Sequence, residues 1–311
     1  MAVSIILTAI VALAWVLAAI LPSLLAPGVT RAVGALHHTL DRGDSAISRV
    51  APLGWIARIF DTPLIAALAV LLIADAWLFF GLLEDVSEGE WIVDLDRRLF
   101  HFLQEQRTLL LDRLMITVTG LGDQKVVMPV ALAGLLALVG LQRWRAAAYL
   151  LMATAGAAVF VGGIKRFIHR PRPISIYDGM AEYSFPSGHA CMSVVLYGIL
   201  AFLLAYGAPA AWRRGIAFWA LVLVGLISFS RVYLGAHWLS DVIAGLAFGS
   251  AWLAFLTIAY LRGQPGAVPL KAFGAAILAA LVIAGSVHAA RDFGAERGRY
   301  TIQNHGLPKQ P

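Results

Sequence analysis

The sequence predicts an all-α membrane protein, a bundle of spanning helices, and three observations carry that prediction. Sixty per cent of the residues are hydrophobic and only 14% are charged, against about 25% charged in a soluble domain, and the mean hydropathy is +0.80. Apolar runs close to the roughly 20 residues that a spanning helix needs recur along the whole chain. The arginines gather in alternate connections between those runs, as the positive-inside rule requires of a multi-spanning protein.

Eight runs qualify: 3–25, 63–83, 125–141, 146–164, 190–206, 215–230, 241–261 and 269–288. Connections 26–62, 142–145, 207–214 and 262–270 then share one side. They carry Arg31, Arg42, Arg49, Arg58, Arg143, Arg145, Arg213, Arg214 and Arg262, with Lys271 at the edge, against Asp41, Asp44 and Asp61 alone. That side reads as cytoplasmic. The net charge of +6 is thus a signature of topology, and no nucleic-acid partner is expected.

The first run lacks a preceding positive flank and is longer than a signal-peptide core, so it reads as a retained anchor; cleavage near Ala26 is the alternative. The connector behind it alternates Arg, Asp and small residues. In the second run Asp75 falls mid-helix, where a carboxylate is costly; it reads equally as a functional acid or as a hydrogen-bonded carboxyl between helices. From Leu95 to Leu110 the apolar positions Leu95, Leu99, Phe102, Leu103, Leu109 and Leu110 alternate with Asp96, Arg97, Arg98, Glu105 and Arg107. That period predicts an amphipathic helix, either bordering a site at the membrane surface or simply closing the gap between spans. The third and fourth runs are uniformly apolar and argue only for packing. Gly245 and Gly249 give the seventh run a small-residue face for close helix contact. Beyond Arg291 the polar composition predicts a loosely ordered tail. The single cysteine, Cys191, excludes an internal disulfide and a cysteine metal cluster and reads as a small packing residue.

Three polar blocks interrupt this apolar background. Lys165 is followed seven residues on by Arg172 and Pro173; Arg offers phosphate a planar fork and Lys a point charge, although Arg166, His169 and Arg170 beside them read as basic residues snorkelling from a helix end. Pro186-Ser187-Gly188-His189 opens the fifth run, placing a hydroxyl and backbone amides at a helix N-terminus, a ready anion site. Ser230-Arg231 is followed by His237 and Asp241, four apart and so on one helical face, where a carboxylate on one ring nitrogen leaves the other as base or nucleophile. All three blocks, with the acidic stretch from Glu84 to Asp123, fall on the non-cytoplasmic side.

In order and spacing these blocks resemble the three-part signature of the type-2 phosphatidic-acid phosphatase family, membrane lipid phosphatases related to vanadium haloperoxidases. The resemblance covers about residues 62–262. It implies a six-helix phosphatase core there, preceded by one extra transmembrane helix and connector (1–61) and followed by another transmembrane helix and a polar tail (263–311). It further implies His237 as the nucleophile that forms a phosphohistidine, Asp241 as its orienting carboxylate and His189 as general acid. Lys165, Arg172, Ser187, Gly188 and Arg231 would bind the phosphate, with no metal or other cofactor. The expected partners are a lipid phosphate substrate and membrane lipids, and the expected location is a bacterial inner membrane with the site facing outward. Undecaprenyl diphosphate, phosphatidylglycerol phosphate, phosphatidate and lipid A phosphate are candidate substrates. Alternatives are a phosphotransferase using the same intermediate and a proton-coupled transporter built on Asp75, although transporters typically show repeated halves and broken helices, which are not found here. The sequence leaves the oligomeric state open.

Overall fold

The computed structural model describes Thr8 and residues 63–89, 91–174, 182–263 and 266–300. Among them are nine helices: α1 (Pro63–Glu88), α2 (Trp91–Glu105), α3 (Leu109–Gly120), α4 (Gln124–Gly140), α5 (Trp144–Ile168), α6 (Gly188–Ala205), α7 (Ala210–Tyr233), α8 (Leu239–Arg262) and α9 (Leu270–Tyr300). Among the described residues seven stretches are long and apolar enough to cross a membrane, α3 and α4 counting together as one. They coincide with the seven runs expected from residue 63 onward. The first run and its connector lie outside the described residues.

α8 is the hub. It packs along α1 and α6, α6 packs in turn on α5 and α7, and α9 lies along α3 and α4. The close approach of α6 and α8 has a local cause: a Cβ on Gly245 would sit 2.6 Å from the Ser187 carbonyl oxygen, and one on Gly249 3.0 Å from that of Cys191. The expected small-residue face is therefore the α6 contact, and Cys191 is a buried packing residue within it. Asp75 accepts a hydrogen bond from the Ser250 hydroxyl, which ties α1 to α8, the hydrogen-bonded one of its two readings.

α2 starts and ends a turn or so earlier than its apolar period suggested. It buries Ile92, Asp96, Phe100 and Leu103, one stripe of a helix, although Asp96 belongs by composition to the polar face. A second difference lies at the far end. The tail expected to loosen after Arg291 continues as helix to Tyr300, because His288, Glu296 and Tyr300 are buried against the bundle.

The two ends of the bundle differ in chemistry. At one, Arg145 donates to the Gly263 carbonyl at 2.6 Å and Gly207 lies against Ala267, so the arginine-bearing connections after α4, α6 and α8 do share a side. The three polar blocks meet at the other.

Candidate active site

The short segment between α7 and α8 is a turn that aims a histidine. The amides of Ala236 and His237 both donate to the Arg231 carbonyl, at 3.0 and 3.2 Å. Gly235 takes φ of +69° within it, a conformation favouring glycine, and a Cβ there would meet Ile174 at 2.7 Å. Trp238 then caps α8: its amide donates to Asp241 Oδ2 at 2.9 Å. The same oxygen lies 3.4 Å from His237 Nδ1, close but without the alignment of a full hydrogen bond. One carboxylate thus ends the turn, starts the helix and faces the imidazole.

The other ring nitrogen identifies the tautomer. Arg172 Nη1 lies 2.9 Å from His237 Nε2 and also donates to the Ala236 carbonyl at 2.5 Å. A guanidinium can only donate, so Nε2 accepts and the proton resides on Nδ1, facing Asp241. Burial first, and then the charges of Arg172, Arg231 and Lys165, hold the His237 imidazole well below its usual pKa. The ring is therefore neutral at physiological pH, with its Nε2 lone pair directed at cations.

Behind Asp241 stands a second tier. Arg170 donates from Nη1 to Asp241 Oδ1 at 2.6 Å and to Ser240 Oγ at 2.7 Å, and from Nη2 to Asp96 Oδ2 at 2.8 Å. Asp96 also accepts the Ser240 amide and hydroxyl at 2.9 and 2.5 Å. Arg170 is thus no snorkelling residue. It lies between two buried carboxylates, where a guanidinium is compensated on both sides. Its neighbours Arg166 and His169 are exposed, as expected. The sequence gives little sign of Arg170 beyond its place two residues before Arg172, and none of Asp96 except a charge at a position that α2 turns inward.

The second block sits where expected. Ser187 is the N-cap of α6, its hydroxyl accepting the Ala190 amide at 3.5 Å, and its own amide donates to the Asp241 carbonyl at 2.9 Å. Phe185-Pro186 before it is a cis peptide. Gly188 opens the helix and His189 follows, with Nε2 3.9 Å from Asp123 Oδ2. Arg231, Arg172, Lys165 and His288 also face His189. Lys165, at the end of α5, donates to the Tyr183 carbonyl, bracing the connection that leads into this block. Arg231 is buried, its Nη1 donating to Thr119 Oγ1 and to the Tyr300 hydroxyl, both at 2.9 Å. The structure brings the three blocks together at one end of the bundle and adds Asp96, Thr119, Asp123, Arg170 and Tyr300, which the sequence reading did not select.

Comparison with known proteins finds similar chains. An undecaprenyl-diphosphatase of Sulfolobus acidocaldarius is 29% identical over 178 residues, 55% of this chain and 80% of that protein. A lipid A 1-phosphatase of Rhizobium johnstonii is 36% identical over 121 residues, 35% of this chain and 46% of its own length. The chain thus spans most of the first relative and under half of the second. The crystal structure of a transmembrane PAP2-type phosphatidylglycerolphosphate phosphatase from Bacillus subtilis superposes with a TM-score of 0.53 at 22% identity, covering 60% of this chain and 96% of that one, which shows a shared fold. Residues 146–264, which include all three polar blocks, match the family model of the PAP2 superfamily.

Proposed function

We propose that this protein is a lipid phosphatase that cleaves a lipid phosphate or diphosphate through a phosphohistidine on His237. The observation that carries the reading is the state of that residue: buried, neutral, protonated on the nitrogen facing Asp241, with its lone pair aimed at Arg172. Phosphate oxygens entering beside Arg172 compete for its donors and release Nε2, which then faces phosphorus. Nε2 attacks, the bond from phosphorus to the lipid oxygen breaks, and His189 gives that oxygen its proton. Water, deprotonated by His189, then cleaves the phosphorus–nitrogen bond, liberating phosphate and restoring both histidines. Splitting the hydrolysis in two replaces one hard step by two easier ones. Lys165, Arg172, Arg231 and the amide end of α6 at Ser187 and Gly188 stabilise the charge that develops on phosphate.

The relatives' names and the apolar walls of the bundle support an oily substrate with an anionic head; undecaprenyl diphosphate, phosphatidylglycerol phosphate, phosphatidate and lipid A phosphate all fit that description. Among the described residues no three His, Cys, Asp or Glu side chains are gathered as metal ligands, and the charge opposite phosphate comes from side chains. Purified protein in detergent is expected to release phosphate from at least one lipid of such a panel in the presence of a chelator, and to be inhibited by orthovanadate. Loss of activity on chelation, restored by one divalent ion, counts against this mechanism.

The arginine distribution supports a site on the outer face of the membrane. With Cys191 replaced by Ala, Ser87→Cys at the site end should react with an impermeant thiol reagent on intact cells, and Arg214→Cys at the other end should not. The reverse pattern puts the site in the cytoplasm.

A further inference from the structure

At about 1.5 Å per residue, the 31 residues of α9 make a rod of about 46 Å, while the hydrocarbon core of a bilayer is about 30 Å thick. Its excess is not idle. His288, Asp292, Glu296 and Tyr300 recur every four residues, so they form one stripe along the last turns. That stripe faces the bundle: His288, Glu296 and Tyr300 are buried. His288 lies against Gly120, where a Cβ would be 2.7 Å from its ring. Its two ring nitrogens are 3.2 Å from Asp292 and 3.3 Å from Glu296. Asp292 reaches Lys125 at the start of α4, at 2.5 Å. Tyr300 is held from both ends, its carbonyl accepting from Arg107 at 2.5 Å and its hydroxyl accepting from Arg231 at 2.9 Å.

Spanning a membrane needs no such stripe, and burying polar groups costs free energy unless they are paired. What the stripe reaches is Arg231, a residue of the third block. Thr119 on α3 and Tyr300 on α9, to which Arg231 Nη1 donates, both lie outside the segment 146–264 that matches the family model. Arg231 Cζ also stands 5.9 Å from the centre of the Tyr300 ring, within cation–π range.

We propose that the end of α9 is part of the phosphate site, with Tyr300 as a positioning residue. Together with Thr119 it fixes the plane of the Arg231 guanidinium before substrate arrives. A side chain held in advance loses less freedom on binding phosphate and need not reorganise as charge develops. The proposal rests on the phosphatase reading for its kinetic consequence, but not for its binding consequence.

The test uses the full chain in detergent and orthovanadate as probe, comparing wild type, Tyr300→Phe, Arg231→Lys and the double variant. Tyr300→Phe keeps the ring and removes one hydroxyl. It should weaken vanadate inhibition and lower kcat/KM on a lipid phosphate together, each by about tenfold, the range for a hydrogen bond to a charged group. In the Arg231→Lys background the same change should cost less than about threefold, because the two residues act as one unit. Lys125→Met, which removes the pair between α4 and α9 from the α4 side without touching Arg231 or α9, should leave vanadate inhibition unchanged. Vanadate inhibition of Tyr300→Phe equal to wild type overturns the proposal. So does an equal loss in both backgrounds, or a Lys125→Met variant that weakens vanadate as much as Tyr300→Phe, since α9 would then be only a structural prop. If wild type hydrolyses no lipid phosphate, the phosphatase reading fails by itself. The vanadate-induced rise in melting temperature then still compares the four proteins.

Discussion

The two histidines of this site are held differently. The His237 side chain is 1% exposed, with Asp241 3.4 Å from one nitrogen and Arg172 2.9 Å from the other. That of His189 is 20% exposed, with its nearest carboxylate, Asp123, at 3.9 Å. The difference fits the roles proposed for them. A nucleophile must present one lone pair along one line, so its tautomer and azimuth need fixing from both sides. A general acid must lose its proton to the leaving group and recover the starting state every cycle, which requires access to water and tolerates a looser partner. On the proposed roles, burial depth separates the residue that would make a covalent bond from the one that would only move a proton.

The widest test of this contrast removes each ring in turn. His237→Ala should abolish turnover of every substrate, a loss of at least about 10⁴-fold, since no phosphoenzyme can form without the nucleophile. His189→Ala should lose about 10² to 10⁴-fold on a lipid phosphate, yet less than about tenfold in the first-turnover burst of an activated aryl phosphate, whose leaving group needs no proton. The acidity of the medium separates them again. His237 is held well below the usual imidazole value, so the proton that would disable it arrives only below pH 6.5. With the substrate's second ionisation near 6 divided out, the aryl phosphate rate should stay level as the pH falls through 6.5. Equal losses for both variants on both substrates, or a limb near 6.5, would show that the histidines do not divide the work in this way.

A smaller effect is expected one tier back. Asp96→Asn leaves Arg170 between one carboxylate and an amide, and breaking a buried ion pair typically costs about 3–5 kcal/mol. The melting temperature in detergent should fall. Activity should drop by the same factor on lipid and aryl phosphates, because Asp96 acts through Asp241 on the nucleophile and not on the leaving group. A larger loss on the lipid would place Asp96 on the wrong side of the contrast.

Most of this architecture was legible in the chain, and what was missed has a common cause. The spans from residue 63 onward show because hydropathy reports the solvent of each helix directly, and the Gly245 and Gly249 face shows because close packing needs small residues. The three blocks show because their residues lie within a few positions of one another. Asp96, Thr119, Asp123 and Tyr300 reach the site from helices far away in sequence, and each looks locally ordinary: a charge on an amphipathic helix, a helical threonine, an N-cap, a tyrosine in a polar tail. Arg170 was visible but misassigned, because a basic residue at a membrane-helix end usually faces headgroups, and only the inward turn of Asp96 on α2 reveals otherwise. The end of α9 was mistaken for loose chain for the same reason. Its composition is that of a solvated segment, and only its four-residue spacing against the bundle makes it helix.

The smallest expected effect concerns the loosely held histidine itself. Asp123 has two duties: Oδ1 accepts the Lys125 amide at 2.9 Å and caps α4, while Oδ2 faces His189 at 3.9 Å. Asn caps a helix about as well as Asp, so Asp123→Asn keeps the first duty and removes the charge from the second. Both side chains are partly exposed, and screened pairs of this kind are worth about 0–1 kcal/mol, a factor of about five at most. Asp123→Asn should therefore fold normally and lose no more than about fivefold on the lipid phosphate. It should lose nothing measurable in the aryl phosphate burst. A loss near that of His189→Ala would mean that the acid is gripped as tightly as the nucleophile and that the contrast in burial carries no functional meaning. No loss on either substrate would mean that water alone serves His189, which takes the same contrast to its limit.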